Sequence, residues 1–96
     1  MDNTNRNEIL EWTNKRYKLY YVRFKERVRF LERLFNQDFI EDEEYIAEVV
    51  EAEKYIESKI DVFKREIEFF GMLNHLDLRV EAEKFAYIKK RQLGLN

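Results

Sequence analysis

Cysteine and proline are absent from this 96-residue sequence, and glycine occurs only at Gly71 and Gly94. Without cysteine there is neither a disulfide framework nor a thiolate metal site, and a reducing cytoplasm is the expected compartment. Without proline the usual helix breakers shrink to two glycines, so long helices are expected. A single histidine, His75, and a single serine, Ser58, exclude the common forms of nucleophilic triad. His75 has no companion at metal-ligand spacing and reads as a solvated or capping residue. A Glu-x-x-His pair, an Asp-x-Asp-x-Asp-Gly loop and a glycine-rich phosphate loop are all missing. The sequence therefore predicts no catalysis, no metal and no cofactor. No apolar run approaches the ~18 residues of a membrane span. The polar Met1-Asp2-Asn3-Thr4-Asn5 also lacks the basic-then-apolar order of a signal peptide, so a soluble, cytoplasmic chain with no membrane partner is expected.

Charge and aromatic residues are plentiful. Residues 1–35 hold nine basic and five acidic side chains, a net +4; residues 36–70 hold four and twelve, a net −8; residues 71–96 hold five and three, a net +2. Eight Phe, six Tyr and Trp12 argue for a folded core despite 40% charged residues. The length predicts one domain, 1–96.

The apolar residues recur with a helical period. Leu10, Tyr17, Tyr21, Phe24, Val28, Leu31 and Phe35 form one stripe, interrupted by Asn14, on a helix of about 5–35. An Asn5-x-x-Glu8 capping box starts it and Asn36-Gln37-Asp38 ends it. A second stripe, Ile46, Val49, Ile56, Ile60, Phe63, Ile67 and Phe70, is broken by Glu53 and predicts a helix of about 41–70. Its box is either Asp38 with Glu41 or Glu41 with Glu44, and Gly71 is placed for a left-handed C-terminal cap. Asn74-x-x-Asp77 predicts a third helix of about 75–93 with Leu78, Ala82, Phe85 and Ile88 inward. The fold class is all-α: an antiparallel hairpin of two long helices with a shorter third helix, a coiled-coil-like three-helix bundle. In the antiparallel arrangement Leu10 faces Phe70 and Phe24 faces Ile56, and the basic helix lies along the acidic one. Glu53 either turns outward at the stripe margin to pair with Arg27 or Lys25, or fixes register or oligomeric state.

Function is then a matter of surface. The third helix is predicted to cover only part of the hairpin, stopping near the level of Glu53 and Val28. The tip would be left with more large apolar side chains than two helices can bury, a mark of a binding site. Phe30, Leu34 and Tyr45 are its expected outward members. Glu41, Glu44, Glu48 and Glu51 make a row of carboxylates that either is a solvated helix face or engages a basic groove on a partner. The first reading is a non-enzymatic interaction module that self-associates, as a dimer first of all, and modulates a larger protein complex. The composition, rich in Asn, Lys, Ile, Glu, Phe and Tyr, suits a phage or mobile-element accessory protein. The alternative is a small nucleic-acid-binding or regulatory protein using Lys15, Arg16, Lys18, Arg23, Lys25 and Arg29 among the aromatics of the first helix.

Overall fold

The computed structural model describes residues 2–95, with side chains from Asn5 onward; the expected domain of 1–96 includes Met1 and Asn96, which lie outside them. Three helices follow one another, α1 (Asp2–Asn36), α2 (Asp42–Leu73) and α3 (Arg79–Gln92), with no strand among the described residues. The first two pack as an antiparallel hairpin and α3 folds back along α2, giving a rod of 56 × 19 × 17 Å. Among the described residues no helix is long and apolar enough to cross a membrane.

The hairpin register is carried by named pairs. Trp12 sets its ring edge on Phe70 at 5.4 Å, Tyr20 lies 5.6 Å from Phe63, and Phe35 stacks on Tyr45 at 4.8 Å near the turn. Opposite charges fall opposite each other, because the basic α1 runs beside the acidic α2. Arg16 donates to both carboxylate oxygens of Glu66, at 2.5 and 3.3 Å, and Arg27 donates to Glu48 at 2.5 Å. Arg16 also lies over the rings of Trp12 and Phe63, at 4.4 and 5.0 Å, so its stem and fork close that stretch of the seam.

Two seam positions differ from the periodic reading, for a common reason. Thr13, with no exposed surface, occupies the place expected for Asn14, and Ala52 is buried where Glu53 was expected. A straight helix drifts relative to a seven-residue repeat, so over helices this long the buried row passes through the neighbouring small residue. Thr13 tolerates burial because its hydroxyl donates to the Ile9 carbonyl at 2.9 Å. Asn14 stays exposed with its amide on the Leu10 carbonyl. Glu53 is half-buried and makes no ion pair with Arg27 or Lys25 among the described residues. The core proper lies where three helices meet: Tyr17 from α1, Ile56, Ile60, Phe63 and Ile67 from α2, and Leu78, Ala82, Phe85 and Ala86 around α3. Each large apolar side chain buried there contributes roughly 1.5–3 kcal/mol.

All three helices end in the same hydrogen-bonding pattern, a left-handed residue whose flanking N–H groups reach back to the last-turn carbonyls. At α1, Asp38 (φ 61) donates to Phe35 O and Phe39 to Leu34 O. At α2, His75 (φ 59) donates to Met72 O and Leu76 to Gly71 O. At α3, Gly94 (φ 73) donates to Arg91 O and Leu95 to Lys90 O. Only the third uses glycine. The expected cap role of Gly71 is therefore overturned: α2 runs on to Leu73, and Gly71 is a buried helical residue against which Leu78 packs. A Cβ there would meet Leu78 Cγ at 2.9 Å and Leu76 O at 3.1 Å. His75, expected at the start of the third helix, is the residue that turns left-handed.

The expected N-terminal boxes also do not form. Helix α1 already runs from Asp2, which places Asn5 inside it. Glu41 is the N-cap of α2 in extended conformation without a side-chain bond, and the acidic first turn of Asp42, Glu43 and Glu44 faces the helix dipole instead. Asn74 turns its amide back to the Phe70 carbonyl at 2.8 Å. Asp77 accepts from the Arg79 backbone and guanidinium, and those bonds hold its carboxyl down to about 2. With residues 74–78 used in this connection, α3 spans 14 residues in place of the expected 75–93. Ala86 takes the inward place and Ile88 is exposed.

Candidate protein-interaction site

Helix α3 is about 21 Å long against about 48 Å for α2, at 1.5 Å per residue. Near its end Lys90 meets Asp61 at 2.8 Å and Lys89 lies over the Tyr17 ring at 5.1 Å. The paired part of α3 thus ends near Asp61 and Tyr17, and Leu93 and Leu95 just beyond the helix still pack against the core. The row of α2 that faces α3 runs through Gly71, Lys64 and Asp61, with Lys64 bonded to Glu83 at 3.0 Å. Continued toward the tip at helical spacing, the same row presents Glu53, Val50 and Ile46 beyond α3. Ile46 is 60% exposed and Val50 37%. This ledge is the surface left by the short third helix.

The residues expected to form the tip cluster do not share that face. Phe30 and Leu34 fall in register with Trp12, Arg16, Tyr20, Arg23 and Arg27, on the opposite side of the hairpin from α3. Phe30 is 49% exposed, under the Arg33 guanidinium at 5.9 Å. Leu34 is half-buried, and Tyr45 is half-buried in its stack on Phe35, so both also hold the tip together. Leu31 is buried between the helices. At the turn itself Phe39 is 72% exposed, the most of any large apolar residue described.

The row of carboxylates lies on the Phe30 side as well. Glu41, Glu44 and Glu51 are exposed, Glu51 with Lys54 4.0 Å away, but Glu48 is half-buried and committed to Arg27. The row is therefore interrupted at its middle. The basic residues of α1 divide. Arg16 is tied into the seam by Glu66, and Arg23 lies over Tyr20 at 5.8 Å. Lys15, Lys18, Lys25 and Arg29 share the outer face at helical spacing, with Lys25 half-buried over the Tyr21 ring at 5.6 Å. The sequence reading took the six cations together and did not separate that strip.

It also missed a recess on the Phe30 side. Between α1 and α2, Tyr20, Arg23, Phe24, Arg27, Glu51, Ala52, Tyr55 and Ile56 line a groove of about 350 Å³. The cause is Ala52: a methyl stands where the seam elsewhere has Ile, Val or Phe, leaving space above Phe24 and Ile56. The rings of Tyr20 and Tyr55, in contact at 6.4 Å and tilted by 48°, form one flank of it. The Lys59 ammonium stands over both rings, at 5.2 and 5.4 Å. An alanine within an otherwise bulky stripe was the available signal.

Buried titratable chemistry is confined to the core. Burial pushes the Tyr17 hydroxyl up to about 12, with nearby Tyr21 adding to the rise, and that hydroxyl has no hydrogen-bond partner among the described residues. Burial also lowers the Lys89 ammonium. No protein-family model, curated protein or solved structure matches this chain.

Proposed function

We propose that the chain is a non-enzymatic protein-interaction module whose working surface is the two-helix tip half of the hairpin, used both to self-associate as a dimer and to engage a larger protein. The observation that carries this reading is the early end of α3 after 14 residues, which leaves Ile46 and Val50 in solvent where the other half of the hairpin has a third helix; Phe30 on the opposite side and Phe39 at the turn add exposed apolar surface to the same half. Large neighbouring apolar side chains on a small protein usually mark a contact surface. The acids of α2 at Glu41, Glu44 and Glu51 flank that surface and favour a basic partner face.

Light scattering behind size exclusion, with helicity measured by circular dichroism, tests it. The wild type is expected to dimerise, Phe30→Ser to weaken the dimer, and Ile46→Glu with Val50→Glu to lose the larger partner, each variant staying helical. A wild type that is monomeric at high concentration, with variants that keep every partner recovered from the native host, would remove the tip as an interface.

A second reading has its own observation. Lys15, Lys18, Lys25 and Arg29 line up over about 21 Å of the outer face of α1, a spacing that suits successive phosphates of a nucleic acid. Titration with random duplex and single-stranded DNA at rising salt separates the two, since binding through that strip falls steeply with ionic strength.

A further inference from the structure

We propose that the recess beside Tyr20 and Tyr55 is the receptor for the hairpin turn of a second copy, which lays Phe39 over Phe24, Ala52 and Ile56 against the flank of the tyrosine pair and sets Asp38, Glu41 and Asp42 against Arg23 and Lys59. The inference rests on the self-association reading above and names the occupant and its seat. Three observations carry it. First, the recess has the shape and lining for one aromatic ring: about 350 Å³, a tyrosine flank and a floor of Phe24, Ala52 and Ile56. Aromatic rings favour such tilted and edge-on neighbours. The turn supplies a ring in Phe39, 72% exposed.

Second, the charges are complementary. Arg23 and Lys59 stand over the tyrosine flank, and neither has a carboxylate within ion-pair distance among the described residues. The turn carries Asp38, Glu41 and Asp42, all exposed and none in an ion pair among the described residues. Glu51 also lines the recess, with Lys54 4.0 Å away; beside it the unpaired cations face unpaired acids, which sets both attraction and orientation between copies.

Third, the spacing closes. The recess lies about 20 Å from the turn, some twelve to fourteen residues at 1.5 Å each. Two copies laid antiparallel with that overlap put each Phe39 in the other's recess at once, so the contact is its own mirror under a two-fold axis and ends at a dimer. The axis then falls near Phe30, half-exposed on the same side of the hairpin, where it would meet its counterpart. The ledge of Ile46 and Val50 stays open for a larger partner.

The test is the dimer dissociation constant by analytical ultracentrifugation at moderate salt, with helicity checked for each variant. Phe39→Ser, at an exposed turn position, is expected to weaken the dimer by about a hundredfold, roughly tenfold for each of the two rings returned to water. Arg23→Glu with Lys59→Glu and, separately, Glu41→Lys with Asp42→Lys are each expected to weaken it; all four in one chain should recover most of the loss, because the same charges then meet with signs exchanged. Dimerisation unchanged by Phe39→Ser and by the Arg23 and Lys59 reversals, but abolished by Ile46→Glu with Val50→Glu, would overturn this seat and leave the tip as an interface. A wild type that stays monomeric at high concentration overturns both.

Discussion

Tyr17→Phe should make this protein more stable, although it deletes a polar group from a helix rich in polar side chains. Tyr17 is 4% exposed. Its ring packs 5.7 Å from Phe85 and 6.2 Å from Tyr21, and its hydroxyl has no partner among the described residues. A hydroxyl buried without a hydrogen bond costs about 1–3 kcal/mol relative to water, and phenylalanine keeps the ring contacts. We expect a gain of about 1 kcal/mol at neutral pH, or roughly 4–8 °C in thermal midpoint for a chain of this size. The pH dependence follows from the hydroxyl's folded value of about 12, raised above an unfolded value of about 10. A group so raised contributes its full stability below pH 10 and loses it as pH climbs from 10 to 12, by about 2–3 kcal/mol in all. Phenylalanine has no such loss, so the gap between variant and wild type should widen through that window. Urea unfolding at pH 7, 10 and 11.5 measures it. A variant less stable by a kcal/mol or more at pH 7, or curves that stay parallel into alkali, would show that the hydroxyl is hydrogen-bonded in solution and refute the reasoning.

Gly71→Ala should destabilise by about 1–3 kcal/mol in chemical unfolding despite the better helix propensity of alanine, because the added methyl would meet Leu78 Cγ at 2.9 Å and the Leu76 carbonyl at 3.1 Å; a gain in stability would mean that the connection to α3 yields easily. His75→Gly should stabilise by roughly 0.5–1 kcal/mol by relieving a left-handed backbone, with φ 59, from carrying a β-carbon; an unchanged thermal midpoint would count against that strain. Arg16→Lys, which keeps the charge but loses the two-pronged bond to Glu66 and the stacking on Trp12 and Phe63, should cost about 1 kcal/mol, and a silent substitution would show the pair to be ornamental to the seam.

The helical character, the hairpin and its pairing direction were legible in the order of residues because they rest on local and repetitive signals. Apolar residues three and four apart admit one secondary structure, and a basic stretch followed by an acidic one favours lying side by side. The stop of α1 was equally legible, in Asn36-Gln37-Asp38. What depended on the packed molecule were the details set by partners far away in the chain. Thr13 and Ala52 are buried in place of Asn14 and Glu53 because helix twist accumulates over thirty residues, which a repeat read from stretch to stretch does not register. Gly71 is a contact point for Leu78 rather than a helix end, since that role exists only once the connection doubles back. The length of α3 was settled by the turn through His75 and the Asp77–Arg79 bonds, which use residues that otherwise read as helix. The Tyr20–Tyr55 recess likewise needs residues from two helices held at a particular register. Local chemistry chooses helices and their polarity; which small residue lies inside, where coverage stops and where a hollow remains are decided by side-chain volume meeting across the seam.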